Sequence, residues 1–175
     1  MVTTSKGIRP VFLSTDMVNY WLMKSELDVY PYSQLVEDGS THWDGVRNYQ
    51  ARNMMRDAME LGDYVLFYHS NCKPPHIAGI AKVSKEGYPD FTSWDSKSNY
   101  FDEKSSPEKP RWFMVDIEPV KPLKETVALD SVRNEPSLSD MPLIRKGQRL
   151  SIQPVEQNEF EIICAMGGLE PGELE

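Results

Sequence analysis

The chain has almost no cysteine. Cys72 and Cys164 are the only two in 175 residues, far apart and in no paired motif. They offer no disulfide framework and fit a reducing compartment. Long apolar runs are missing too. None reaches the length of a membrane span, and the start shows no signal-peptide pattern, so no membrane partner is expected and the cytoplasm is the expected location. No nucleophile elbow, no Gly-rich phosphate loop and no internal repeat is visible. Strands and helices do not alternate as βαβαβ, which argues against a doubly wound sheet. Basic charge is in deficit, 19 Lys and Arg against 27 Asp and Glu, for a net charge of −8. That balance argues against a protein that coats nucleic acid in bulk.

The deficit is uneven. Residues 156–175 hold six Glu and no Lys or Arg, leaving only −2 on residues 1–155. Arg47, Arg52 and Arg56 cluster, as do Arg145, Lys146 and Arg149, so a local basic mouth on an acidic body is compatible with the total. Solvated surface charge is the commoner explanation of such clusters.

The length suits one domain. Residues 1–18 show no period and read as an arm, 19–168 as the domain, and 169–175 as a tail whose closing Leu174-Glu175 is read as a cloning remnant. Aromatic and apolar runs predict strands over 19–24, 63–70, 77–83, 111–120 and 149–154. The second and third of these should pair as an antiparallel hairpin across the Pro74-Pro75 turn. Ala78, Gly79 and Ala81 leave room there for a close neighbour. Ser33 reads as the cap of one helical turn ending near Gly39. Ala51, Met54, Met55, Ala58 and Met59 predict an apolar helix face, with Asn48 as N-cap and Gly62 as the stop. A short helix is predicted over 128–133, and a last one over 156–166, before Gly167-Gly168. Residues 88–110 form a long loop with five aromatics, too many for a plain linker, and predict an ordered wall.

The stretch richest in chemistry runs from His42 to Asn53, His-Trp-Asp-Gly-Val-Arg-Asn-Tyr-Gln-Ala-Arg-Asn. Trp43 offers a flat face for stacking, and Arg and Asn offer forked donors and acceptors for planar polar edges. The plainer alternative is packing, with Trp43 as a core plug and Asn48 as a cap. A metal site at His69-x2-Cys72-x3-His76 is disfavoured, because two prolines should splay the side chains and no second Cys/His pair exists. Catalysis by Lys24-Ser25-Glu26 is a minority reading, since neighbours on a strand point to opposite faces. Binding of a planar ligand fits best. Trp21, Trp43, Tyr68 and Trp94 supply faces, while Ser25, Asn48, His69, Ser70, Asn71 and Ser151 supply hydrogen bonds.

Four motifs in order then carry a resemblance: Tyr20-Trp21-Leu22-Met23-Lys24-Ser25-Glu26, Trp43 through Asn53, Gly62-Asp63 with Phe67-Tyr68-His69-Ser70-Asn71, and Arg149-Leu150-Ser151-Ile152-Gln153-Pro154-Val155. Together they resemble the EVE domain, in the branch of the thymocyte nuclear proteins and their bacterial relatives. They are similar, more distantly, to the YTH readers of methylated adenine. Two positions depart from the pattern, Leu27 where Pro is usual and His76 where Gly is usual. The short start, with only Lys6 and Arg9, lacks the basic nuclear-targeting arm of eukaryotic members and favours a bacterial protein.

The resemblance implies an α+β fold, a PUA-like mixed β pseudo-barrel flanked by short helices. It implies a monomeric reader of DNA or RNA carrying a modified base, with no cofactor and no metal. The expected base contacts are Trp21, Lys24, Ser25, Trp43, Val46, Arg47, Asn48, Tyr68, His69, Ser70, Trp94 and Ser151. The expected backbone contacts are Arg52, Arg145 and Arg149. The alternatives are an amidohydrolase of acylated bases using Lys24, Ser25 and Glu26, and a protein-interaction module whose pocket holds a peptide side chain.

Overall fold

The computed structural model describes residues 18–170 and 172–174. The reading of residues 1–17 as an arm lies outside the described residues. Six strands form one mixed sheet: β1 Tyr20–Glu26, β2 Thr41–His42, β3 Tyr64–Ser70, β4 His76–Pro89, β5 Phe113–Ala128 and β6 Ile152–Val155, in the order β2-β5-β4-β3-β1-β6. β1 and β3 are parallel, and every other pairing is antiparallel. Four helices flank the sheet: α1 Tyr32–Asp38, α2 Tyr49–Asn53, α3 Leu129–Arg133 and α4 Gln157–Met166. The expected α+β architecture is the one observed.

The sheet is buried on both faces. Successive residues of a strand point to opposite sides. Trp21 and Met23 of β1 and Val65 and Phe67 of β3 therefore enter one core, under α1 and α2. Leu22, Leu66 and Tyr68 enter a second core, closed by α3, α4 and the 3-10 turns before β6. Leu169 completes this second core, and the Glu173 carboxylate reaches Lys121 at 3.1 Å and Lys124 at 3.4 Å, so the described part of the tail packs back on the domain.

The β3–β4 hairpin forms as expected, and Gly79 shows why a small residue is needed. A Cβ there would lie 2.5 Å from the ring of Tyr32, whose hydroxyl donates to the Ile80 carbonyl at 2.7 Å. Asn48 caps α2, its Oδ1 accepting from Ala51 N at 3.0 Å.

Three expectations need correction. The helix after Asn48 is not one continuous α-helix: α2 passes into a π-turn at Met54–Ala58, closed by Met59 N donating to Met54 O. The wider turn brings every fourth residue to the core, so Ala51, Met55 and Met59 are buried while Ala58 is exposed. Ser33 caps nothing; it lies inside α1, which begins two residues earlier than expected, with Pro31 at the N-cap position. β5 does not stop at Val120 but continues to Ala128 through Pro119 and Pro122. Register shifts in β4 fall beside both prolines, where a missing donor is tolerated.

Candidate nucleic-acid interface

β1 and β3 run parallel and end side by side, at Ser25-Glu26 and Ser70. A cleft of about 590 Å³ opens across these ends. Its other walls are the loop from Trp43 to Asn48, Tyr30, Tyr100, and Arg149 and Ser151 before β6.

The loop is held from beneath by Asp90, which is fully buried. Asp90 Oδ2 accepts from Gly45 N at 2.9 Å and from Arg47 Nη1 at 3.0 Å, and Oδ1 accepts from Thr92 N. Gly45 has φ +81°, and a Cβ on it would meet the Tyr100 ring at 2.7 Å. Glycine thus provides both the left-handed turn and the space in which Tyr100 lies against the loop. Arg47 finishes the bracket: Nε and Nη2 donate to the Tyr100 carbonyl and Nη1 to that of Val46.

Trp43 is both a plug and a wall. Only 9% of it is exposed, and its ring meets Phe67 edge-on at 5.6 Å and Tyr30 at 6.5 Å. The remaining surface faces the cleft. The packing expected of Trp43 is therefore observed, and part of the residue is left open to the cleft.

The polar groups of the cleft differ in what they have left to give. The Ser25 hydroxyl donates to the Tyr30 carbonyl at 2.6 Å, so its oxygen faces a ligand as an acceptor. Asn48 spends its oxygen on the cap and keeps its amide N–H groups. Lys24 has no carboxylate within 4.0 Å among the described residues, its ammonium lies 5.9 Å from the Tyr68 ring centre, and burial holds it below the usual lysine value. Burial also raises the Asp44 carboxyl above the usual range; His42, 3.7 Å away, opposes this and Asp90 adds to it.

Of the expected contacts, Lys24, Ser25, Trp43, Val46, Arg47, Asn48, Ser70, Ser151 and Arg149 line the cleft. The others do not. Trp21 is core, 6% exposed, with its indole N–H donating to Asp63 at 2.9 Å. Tyr68 is buried in the second core beneath Lys24. Trp94 is half-buried at the end of a 3-10 turn, and Tyr100 takes the wall position expected of it. Arg47, although in the wall, directs four hydrogen bonds into the protein. Arg52 is held over the Tyr49 ring and donates to the Arg111 carbonyl, and Arg145 is exposed outside the cleft.

His69 is buried away from the cleft. Its Nε2 accepts from Tyr32 N at 3.0 Å, which leaves the proton on Nδ1, directed to His76 Nε2 at 2.9 Å. His76 Nδ1–H then donates to the Pro74 carbonyl. The two prolines thus bring His69 and His76 together instead of splaying them, and Cys72 Sγ lies 4.0 Å from His76. Every imidazole nitrogen is taken up in this relay. Among the described residues no group of three or more His, Cys, Asp or Glu is arranged to hold a metal ion.

Sequence reasoning did not assign Tyr30, Asp44, Asp90 or Tyr100 to the site. Asp44, Asp90 and Tyr100 stood in stretches already singled out, the first in 42–53 and the other two in the 88–110 loop; Tyr30 carried no local signal, and the role of Asp90 lies in partners distant in sequence.

The family model of the EVE domain matches residues 19–166. The chain belongs to the EVE-domain family. It is 40% identical to human thymocyte nuclear protein 1 over 179 residues, covering 89% of this chain and 77% of that protein. The crystal structure of human THYN1 in complex with 5-methylcytosine-containing DNA superimposes with a TM-score of 0.80 at 39% identity, covering 87% of this chain and 99% of that one. A Pseudomonas syringae protein superimposes at 0.81 with 45% identity, over 85% and 99% of the two chains. The YTH domain of Zygosaccharomyces rouxii MRB1, solved with N6-methyladenosine RNA, shares the fold at a TM-score of 0.53 and 12% identity, over 87% and 88%. Among the described residues no helix is long and apolar enough to cross a membrane.

Proposed function

We propose that this EVE domain binds a modified nucleobase of DNA or RNA in the Trp43 cleft and performs no chemistry on it. The observation that carries this reading is the fold shared with human THYN1, which was crystallised with 5-methylcytosine-containing DNA. The local chemistry supports it. A base drawn out of its stack needs an aromatic face to replace the lost stacking and a polar edge to identify it. Trp43 supplies the face, and Val46 beside it supplies apolar contact for an added methyl group. Asn48 and Lys24 donate, and Ser25 accepts. Asp44 accepts the exocyclic amino N–H of cytosine or adenine, as carboxylates do from cytosine N4. Ser70 and Ser151 complete the rim, and Arg149 contacts the phosphate backbone. The tie between Ser25 and the Tyr30 carbonyl favours recognition over nucleophilic attack, because no imidazole or carboxylate bonds to that hydroxyl among the described residues.

The test is fluorescence anisotropy with single strands identical except for cytosine or 5-methylcytosine at one position. A clear preference for the modified strand is expected. Asp44→Asn should lower affinity, and in the native protein affinity should fall as the pH drops toward the raised value of this carboxyl. Equal binding of both strands, or conversion of the nucleoside seen by mass spectrometry, would overturn the reading.

A further inference from the structure

Beside the Trp43 cleft lies a second, more open hollow of about 540 Å³. The two share Arg47 and Tyr100. Tyr100, Phe101 and Trp112 line the second hollow, and the first two are conspicuously bare for aromatic residues: Tyr100 is 39% and Phe101 45% exposed. Tyr100 stands as a partition, its ring lying against Gly45 at the edge of the first cleft. The partition is fixed. Arg47 clamps the Tyr100 carbonyl, and its guanidinium lies 5.8 Å from the Tyr100 ring centre and 5.3 Å from that of Trp112. Trp112 is fixed in turn by its indole N–H, which donates to Asp102 at 2.7 Å, and by stacking on Tyr49 at 4.9 Å.

From this arrangement we infer that the second hollow is the seat of the nucleobase next to the bound one, so that the domain reads a modified base together with one neighbour. The inference rests on the reading of the Trp43 cleft as a base site. Extracting a base removes the stacking partner of its neighbour as well. A rigid aromatic surface one partition away, on a continuous path along the strand, replaces that partner. The charge favours a base over a phosphate in this hollow. Asp102 and Glu103 line it and repel phosphate, while the Asp102 carboxylate is itself occupied by the indole N–H and Arg111. The π-face of any base is compatible with such a surface, so the contribution is to affinity and strand polarity more than to sequence.

The test uses single-stranded DNA with one 5-methylcytosine, carrying an abasic site immediately 5′ or immediately 3′ of it, read by anisotropy. One of the two abasic strands should bind about 5- to 100-fold more weakly than the intact strand, and the other should not differ. Phe101→Ala should abolish that asymmetry while leaving affinity for 5-methyldeoxycytidine alone unchanged; the exposure of Phe101 makes the variant compatible with folding, checked by circular dichroism. If both abasic strands bind like the intact one while the nucleoside still binds, this inference fails and the base-reader reading stands; a protein side chain as the true occupant would give that result. If Phe101→Ala leaves the asymmetry in place, the seat is not on this face. If neither nucleoside nor strand binds, the reader reading fails and this inference with it.

Discussion

Replacing Trp43 should cost both stability and binding, because the residue is divided between core and cleft. The ring packs edge-on against Phe67 and Tyr30, and 9% of the residue is exposed. Truncating a buried Trp or Phe to Ala costs about 3–5 kcal/mol. Here the void would merge with the cleft and admit water, which places the cost near the lower end, about 3 kcal/mol. For a domain of this size that corresponds to a fall in melting temperature of roughly 6–12 °C, within the roughly 5–15 kcal/mol margin of a native domain. Trp43→Ala should thus stay folded at 20 °C. At that temperature the loss of one stacked face should weaken binding to a 5-methylcytosine strand by about 1–3 kcal/mol, or roughly 5- to 150-fold. Trp43→Phe keeps an aromatic plug and should recover much of both losses. Melting by circular dichroism and anisotropy at 20 °C measure the two effects separately. A Trp43→Ala protein that melts like the native one would refute the packing argument. One that is folded and binds the modified strand undiminished would show that the cleft is not the site.

Gly79→Ala places a methyl group against the Tyr32 ring and should destabilise the domain by about 1–3 kcal/mol, as overpacking does; an unchanged urea midpoint would contradict the contact. Burial, and secondarily His76, push the His69 imidazole down to about 4. Its contribution to stability is therefore complete above the ordinary histidine value near 6.5 and is lost as the pH falls from there toward 4. Urea midpoints should decline over that window, less steeply in His69→Gln, and identical slopes in the two proteins would refute the assignment. Arg149→Ala should reduce the dependence of log affinity on log salt for a single strand by about 0.7, the loss of one phosphate contact; an unaltered slope would remove Arg149 from the interface.

The sequence alone determined the elements whose causes are local. The aromatic and apolar runs of β1 and β3, the Asn48 cap, the Gly39 stop and the small residues of the β3–β4 hairpin each express a rule that acts within a few residues. Motifs in fixed order also placed the chain among EVE domains and marked nine residues that line the cleft. What only the tertiary structure decided depends on partners far apart in the chain. Trp21 and Trp43 look alike as sequence, and Asp63 takes the first into the core while the open strand ends leave part of the second facing the cleft. Asp90 is an unremarkable loop residue until Gly45 and Arg47 arrive from some 45 positions away to bond it. The prolines that seemed to separate His69 from His76 set them in contact, because the hairpin register places the two residues opposite each other. The π-turn after α2 and the run of β5 through two prolines are likewise set by packing and sheet register, which override local propensity.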